Sequence, residues 1–130
     1  MKENVILSKS KAFALKIIKM YQCLCHDKKE FILSRQILRS GTSIGANVRE
    51  AIYAQSRVDF YAKLHISLKE ASETEHWLKL LHESGYVDDG LFDSIYADCK
   101  ELLRILISIT KKSKEKKHPI IAHCSLFIAN

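Results

Sequence analysis

Apolar residues recur along the chain at spacings of three and four, the period of a helix with one buried stripe. From about Ser8 to His26, Phe13, Ile17, Tyr21 and Leu24 share a face, with Ala14, Ile18 and Cys25 beside them. Lys9, Lys11, Lys16 and Lys19 occupy much of the remaining circumference. Ser8 or Ser10 is the expected cap, because a short hydroxyl side chain satisfies an orphan N–H at a helix start. A second stripe of Leu33, Ile37, Leu38, Ile44 and Val48 follows Asp27, a good cap, with Glu30 as its capping-box partner.

Within that second stripe the segment Ser40-Gly-Thr-Ser-Ile-Gly-Ala-Asn47 supports two readings. Read locally it is a loop, with Asn47 capping a new helix and Glu50 completing its box. Read for packing it is helical, and Gly41 and Gly45, one turn apart, let a neighbouring helix approach closely. Each Gly then costs about 1 kcal/mol against Ala.

The third helix is expected from about Ser56 to Ser84, burying Phe60, Leu64, Ser67, Leu68, Ala71, Leu78 and Leu81. Gly85 ends it as a left-handed cap. The fourth is expected from about Asp88 to Lys112, with Ile95, Leu102, Ile105, Leu106 and Ile109 as its core stripe. Asp88 and Asp89 sit at its positive end and lysines gather at its negative end, as the helix dipole favours. Pro119 stops any continuation. The pattern therefore predicts an all-α protein, an antiparallel up-and-down four-helix bundle over residues 1–117 with a C-terminal tail over residues 118–130.

Composition agrees. One Pro and four Gly in 130 residues are too few for a turn-rich all-β fold. Apolar residues at 47% and charged ones at 28% are ordinary for a globular chain. The longest apolar run near the end, Leu102 to Ile109, is broken by Arg104 and Ser108 and falls far short of a membrane span. No signal peptide is visible, and Cys23, Cys25, Cys99 and Cys124 show no disulfide framework, so a cytoplasmic location with free thiols is expected.

The charge is distributed in blocks. Residues 1–65 hold 12 Lys/Arg against 5 Asp/Glu, residues 66–110 hold 4 against 9, and residues 111–130 hold 5 against 1. A basic first half faces an acidic second half, with a basic tail beyond.

The stretch Gln36 to Glu50 (QILRSGTSIGANVRE), Ser67-Leu-Lys-Glu-Ala71 and Gly85-Tyr86 together resemble the bacterial four-helix-bundle proteins encoded in intervening sequences of 23S ribosomal RNA genes. The resemblance spans roughly Ser8 to Lys112. It implies an up-down bundle whose second helix runs through the Gly-rich stretch, and a homopentameric ring. The accessory protein of diversity-generating retroelements is similar to this family; it is a basic pentameric barrel that binds nucleic acid and a reverse transcriptase. The family has no assigned reaction, so the resemblance supplies no catalytic residues and no cofactor.

Chemistry-bearing motifs are weak. Ser40 to Asn47 lacks the Gly-Lys-Ser/Thr and preceding strand of a phosphate loop, so Gly41, Ser43, Gly45, Asn47 and Glu50 read as a helix-packing motif. Cys23 and Cys25 point about 200° apart on a helix and cannot face one metal ion. His118, His123 and Cys124 lack a fourth ligand. Glu70, Glu73, Glu75 and His76 read as a solvated face, with no nucleophile to pair with. Arg57 and His65 are eight residues apart, outside the five-to-seven spacing of the four-helix HEPN ribonucleases. No catalytic or metal site is expected.

The expectation is a non-enzymatic homo-oligomer. Its basic surface, Lys9, Lys11, Lys16, Lys19, Arg35, Arg39 and Arg49 with Lys111 to Lys117 as auxiliary, contacts RNA or DNA backbone. The alternative is a structural or protein-partner module whose charges serve assembly. Because the basic and acidic halves differ in sign, a head-to-tail contact closing into a ring is expected, with Glu73 and Glu75 on its acidic side.

Overall fold

The structure, a computed structural model, describes the backbone of residues 2–115 and the side chains of residues 5–112. Four helices follow one another: α1 (Lys2–His26), α2 (Leu33–Ile52), α3 (Arg57–Glu83) and α4 (Asp89–Glu115). Each packs on the next, and α4 closes back on α1. Contacts across the seams fix the directions. Ser40 meets Thr74 while Ile44 meets Ser67; Lys16 meets Asp98 while Lys9 meets Glu101. In each pair one residue number rises as the other falls, so neighbouring helices are antiparallel. The expected up-and-down bundle is the observed one.

The core runs down the centre. Ile6, Phe13, Ile17, Met20 and Leu24 come from α1, Ile37, Ile44 and Val48 from α2, Leu64, Ala71, Leu78 and Leu81 from α3, and Ile95, Cys99, Leu102 and Leu106 from α4. Leu33, Leu38, Phe60, Leu68 and Ile105, expected in the stripes, are half-buried and pack against it, and Tyr21 is half-buried. Burial pushes the Cys99 thiol up to about 12, which makes it an inert apolar filler.

Three local expectations are corrected. The first helix begins at Lys2 rather than Ser8, because Ile6, about two turns before Phe13, extends its buried stripe. Ser10 is therefore not a cap: it is fully buried and donates to the Leu7 carbonyl at 3.0 Å. The second helix begins at Leu33, and Asp27 does not cap it; Asp27 accepts instead from the Cys23 thiol at 3.3 Å. Glu30 takes over. Its carboxylate accepts from the N–H groups of Ile32, Leu33 and Ser34 at 3.2, 3.0 and 2.7 Å. Burial alone would push this carboxyl up, but the three donors outweigh it and hold the group below the usual range.

The ambiguous segment is helical throughout, as the resemblance implies. Asn47 is not a cap; its amide donates back to the Ser43 carbonyl at 2.8 Å. The reason for the glycines lies on α1. A Cβ at Gly41 would stand 3.0 Å from Ile17 Cγ1 and Cγ2, and one at Gly45 would stand 3.1 Å from Ser10 Oγ. The packing gained by this close approach offsets the helix penalty of glycine.

Other ends follow the sequence. Ser56 Oγ accepts from the Asp59 N–H at 3.1 Å, Asp88 Oδ1 accepts from the Leu91 N–H at 2.8 Å, and Gly85 adopts φ +88°. Between α2 and α3 the core is polar as well as apolar. Ser67 donates to the Ile44 carbonyl at 2.8 Å, and the Thr74 and Ser40 hydroxyls, both fully buried, lie 2.9 Å apart. The tail from His118, with His123 and Cys124, lies outside the described residues.

Candidate nucleic-acid interface

The bundle has two layers, α1 with α2 and α3 with α4. The first layer contains an unusual stretch of sequence. α1 has no carboxylate between Glu3 and Asp27, and α2 has none between Glu30 and Glu50. Every Lys or Arg across those spans of the two helices is one of the seven predicted cations, and all seven are exposed.

The structure divides the seven into two groups. Lys9 pairs with Glu101 at 3.1 Å, and Lys16 pairs with Asp98 at 2.5 Å and donates to Ser94 Oγ at 3.3 Å. These lysines straddle the α1/α4 seam. Arg39 reaches the other way, to Glu70 at 3.5 Å and to Glu73 on α3. The Trp77 indole N–H donates to Glu73 at 3.0 Å and, with Arg39, holds that carboxyl below the usual range. Three of the predicted cations are thus neutralised within their own chain.

Lys11, Lys19, Arg35 and Arg49 are not. Among the described residues no carboxylate pairs with any of them. Helix geometry explains the split. At about 100° per residue, Lys9 and Lys16 lie some 80–100° from Ile17 on the side of α4. Lys11 lies about 120° to the opposite side, and Lys19 about 160° from Ile17, on the outer surface. On α2, Arg49 and Arg35 lie about 120° and 160° from Ile37 on the side of α1, away from the acidic helix α3. The Arg49 guanidinium sits 5.6 Å from the centre of the Tyr53 ring. The four cations therefore share the outer face of the α1–α2 layer.

The predicted packing motif splits in the same way. Gly41 and Gly45 face α1, whereas Glu50 pairs with Lys63 on α3 at 3.2 Å. Ser43 donates to the Arg39 carbonyl at 2.6 Å.

The opposite layer is mixed in sign. Glu75 takes Lys79 and Lys100 at 3.9 and 3.6 Å. Lys69 and Arg104 are exposed there, but so are Glu83 and Asp93. His82 contacts Asp89 at 2.7 Å and stacks on Phe92, which stacks on Tyr96. Arg57 opens α3 and His65 lies two turns along it, half-buried. Among the described residues no group of three His, Cys, Asp or Glu is arranged to hold a metal ion, and no helix is long and apolar enough to cross a membrane.

Sequence reasoning identified the seven cations but missed their pairing. The missing signal is tertiary: the partners of Lys9 and Lys16 lie on α4, at Glu101 and Asp98. Helical position gives a partial clue, since the four unpaired cations all lie off the flanks that meet acidic helices.

Comparison with known proteins finds both a family model and solved structures similar to this chain. A family model described as 23S rRNA-intervening sequence protein matches residues 2–108. Among solved structures, the chain is similar to a protein with unknown function from the S23 ribosomal protein family of Bacteroides thetaiotaomicron. That protein is 54% identical, with a TM-score of 0.84, over 85% of this chain and 99% of the other. No curated protein matches.

Proposed function

We propose that this chain, which belongs to the 23S rRNA-intervening sequence protein family, is a non-enzymatic module that binds the phosphate backbone of RNA or DNA through the outer face of α1 and α2. The observation that carries the reading is the carboxylate-free face on which Lys11, Lys19, Arg35 and Arg49 stand exposed without acidic partners. An unneutralised cation on a rigid helix is already positioned to displace counterions from phosphate. Lys9, Lys16 and Arg39 contribute less, because binding through them requires breaking a pair within the chain. Fluorescence anisotropy with labelled RNA and DNA across a salt series tests this. Binding that weakens steeply with salt is expected; none at about 50 mM salt overturns it.

Assembly into a homo-oligomer, a pentameric ring by the family resemblance, accompanies this reading. Charge is a poor basis for the contact, since Glu73 and Glu75 already hold Arg39, Lys79 and Lys100 of their own subunit. Apolar side chains are better candidates: Ile32 and Tyr53 are each 74% exposed, and the α2/α3 register places Ile32 level with the exposed Leu80. Sedimentation analysis of the full chain checks the assembly, and a strict monomer would reject it.

A further inference from the structure

The four unpaired cations are not spread evenly along their face. The α1/α2 register is set by Ile17 against Gly41, Ser10 against Gly45 and Cys25 against Ser34. It brings Lys11 within about one turn of the level of Arg49, and Lys19 within about one turn of Arg35. The result is two pairs, one towards each end of the bundle. Their midpoints are separated by about 11 residues of α1, which is about 16 Å at about 1.5 Å per residue. The strip between them along the α1/α2 seam carries no charge, and Arg39 beside it is held by Glu70 and Glu73. The strip consists of Leu15, Ile18, Leu38, Thr42 and Ala46.

We infer that the two pairs are brackets for the two strands of one nucleic-acid duplex, each engaging the phosphates on one lip of a groove. The inference rests on the backbone-binding reading above and specifies the form of nucleic acid. Three observations carry it. The spacing of the pairs fits a duplex, in which a groove opening of about 12 Å is flanked by phosphates somewhat further apart, within reach of flexible side chains. The charge is gapped, whereas a groove that tracks one strand carries cations along its whole length. The strip between the brackets offers aliphatic and hydroxyl groups rather than the aromatic rings on which unpaired bases stack. Tyr21, beside the Lys19–Arg35 bracket, is half-buried, and Tyr53 lies past the other end and already carries Arg49 against its ring. Such a face grips backbones and leaves base edges unread, so binding is indifferent to sequence.

The test uses the full chain and four labelled probes of one sequence: an RNA duplex of about 20 base pairs, the matching DNA duplex, and one single strand of each. Affinity is measured between about 50 and 200 mM salt. At least one duplex is expected to bind about tenfold or more tightly than its own strand. The pair of duplex probes decides between RNA and DNA, because A-form and B-form grooves present their lips differently. Lys11→Ala with Arg49→Ala removes one bracket, and Lys19→Ala with Arg35→Ala removes the other. Each double variant is expected to halve the slope of log affinity against log salt on the preferred duplex, since each bracket supplies two of four counterion releases. All four positions are exposed and helical, so circular dichroism and sedimentation should match the parent. Single strands that bind as tightly as duplexes overturn the bracket while leaving backbone binding standing. So does a slope lost entirely with one bracket and untouched by the other. No binding to any probe overturns both readings.

Discussion

The two layers of the bundle both carry lysines and arginines on their exposed surfaces but use them differently. In the α3–α4 layer cations stand among carboxylates: Glu75 holds Lys79 and Lys100, and Glu83 and Asp93 share the surface with Lys69 and Arg104. Among the described residues of the α1–α2 layer carboxylates are excluded from the outer face, and the flanks that meet α3 and α4 are the parts neutralised. Net charge alone hides this, because sign and availability are separate properties. A cation is available when geometry keeps acids away from it.

The largest expected effect breaks the comparison directly. Lys11→Glu with Arg49→Glu should weaken nucleic-acid binding by about 100-fold near 0.1 M salt, since each lost phosphate contact there is worth about tenfold. Lys69→Glu with Arg104→Glu, the matched reversal on the opposite layer, should change it less than about threefold. Equal losses in the two variants would mean that only net charge matters, and the distinction between the layers would fall.

Next is the packing beneath the basic face. Gly41→Val should destabilise the fold by about 1–3 kcal/mol in denaturant titration, because the added methyls meet Ile17. Gly90 provides the contrast on α4: a Cβ there meets only Asp88 Oδ1 at 3.7 Å. Gly90→Ala should therefore be neutral or stabilise by up to about 1 kcal/mol.

A third measurement sharpens the role of Glu30. Glu30→Ala should cost about 1–2 kcal/mol, the range for a lost N-terminal cap. The pH dependence has a definite sign. The folded carboxyl titrates below its usual value, so its contribution is complete above the unfolded carboxylate range near 4.5 and is lost as pH falls through the folded value. The parent should lose more stability than the Glu30→Ala variant between about pH 5 and pH 3, the interval that brackets ordinary carboxylate titration.

The smallest effect concerns the α1/α4 seam. Removing the exposed Lys16–Asp98 pair should cost less than about 1 kcal/mol in a double-mutant cycle. A coupling well above that would make the seam a structural clamp rather than a neutralising contact.

Much of this was legible in the sequence, and the failures share a cause. Helix number, order and most buried positions follow from periodicity, which is a local property of each stripe. The ends of α3 and α4 follow from Ser56, Gly85 and Asp88, whose side-chain or backbone preferences also act locally. The path of α2 through Gly41 and Gly45 was undecidable locally, because Ile17 and Ser10 on another helix determine it. Asp27 reads as the cap with Glu30 as its partner, whereas the helix starts at Leu33 and Glu30 alone meets its first N–H groups. For the charges, the block pattern was visible while the pairing was not. Sorting Lys9 and Lys16 from Lys11 and Lys19 requires knowing which side of α1 faces α4.

The carboxylate-free face also has a kinetic consequence. Uncompensated positive charge on one side of a bundle and mixed charge on the other give the molecule an electric dipole directed across its long axis. A polyanion approaching from solution would experience that asymmetry over about a Debye length, roughly 10 Å at 0.1 M salt, before any side chain touches it. The torque turns the α1–α2 layer forward, so encounters begin in a productive orientation rather than a random one. Added salt should then slow association more than it hastens dissociation.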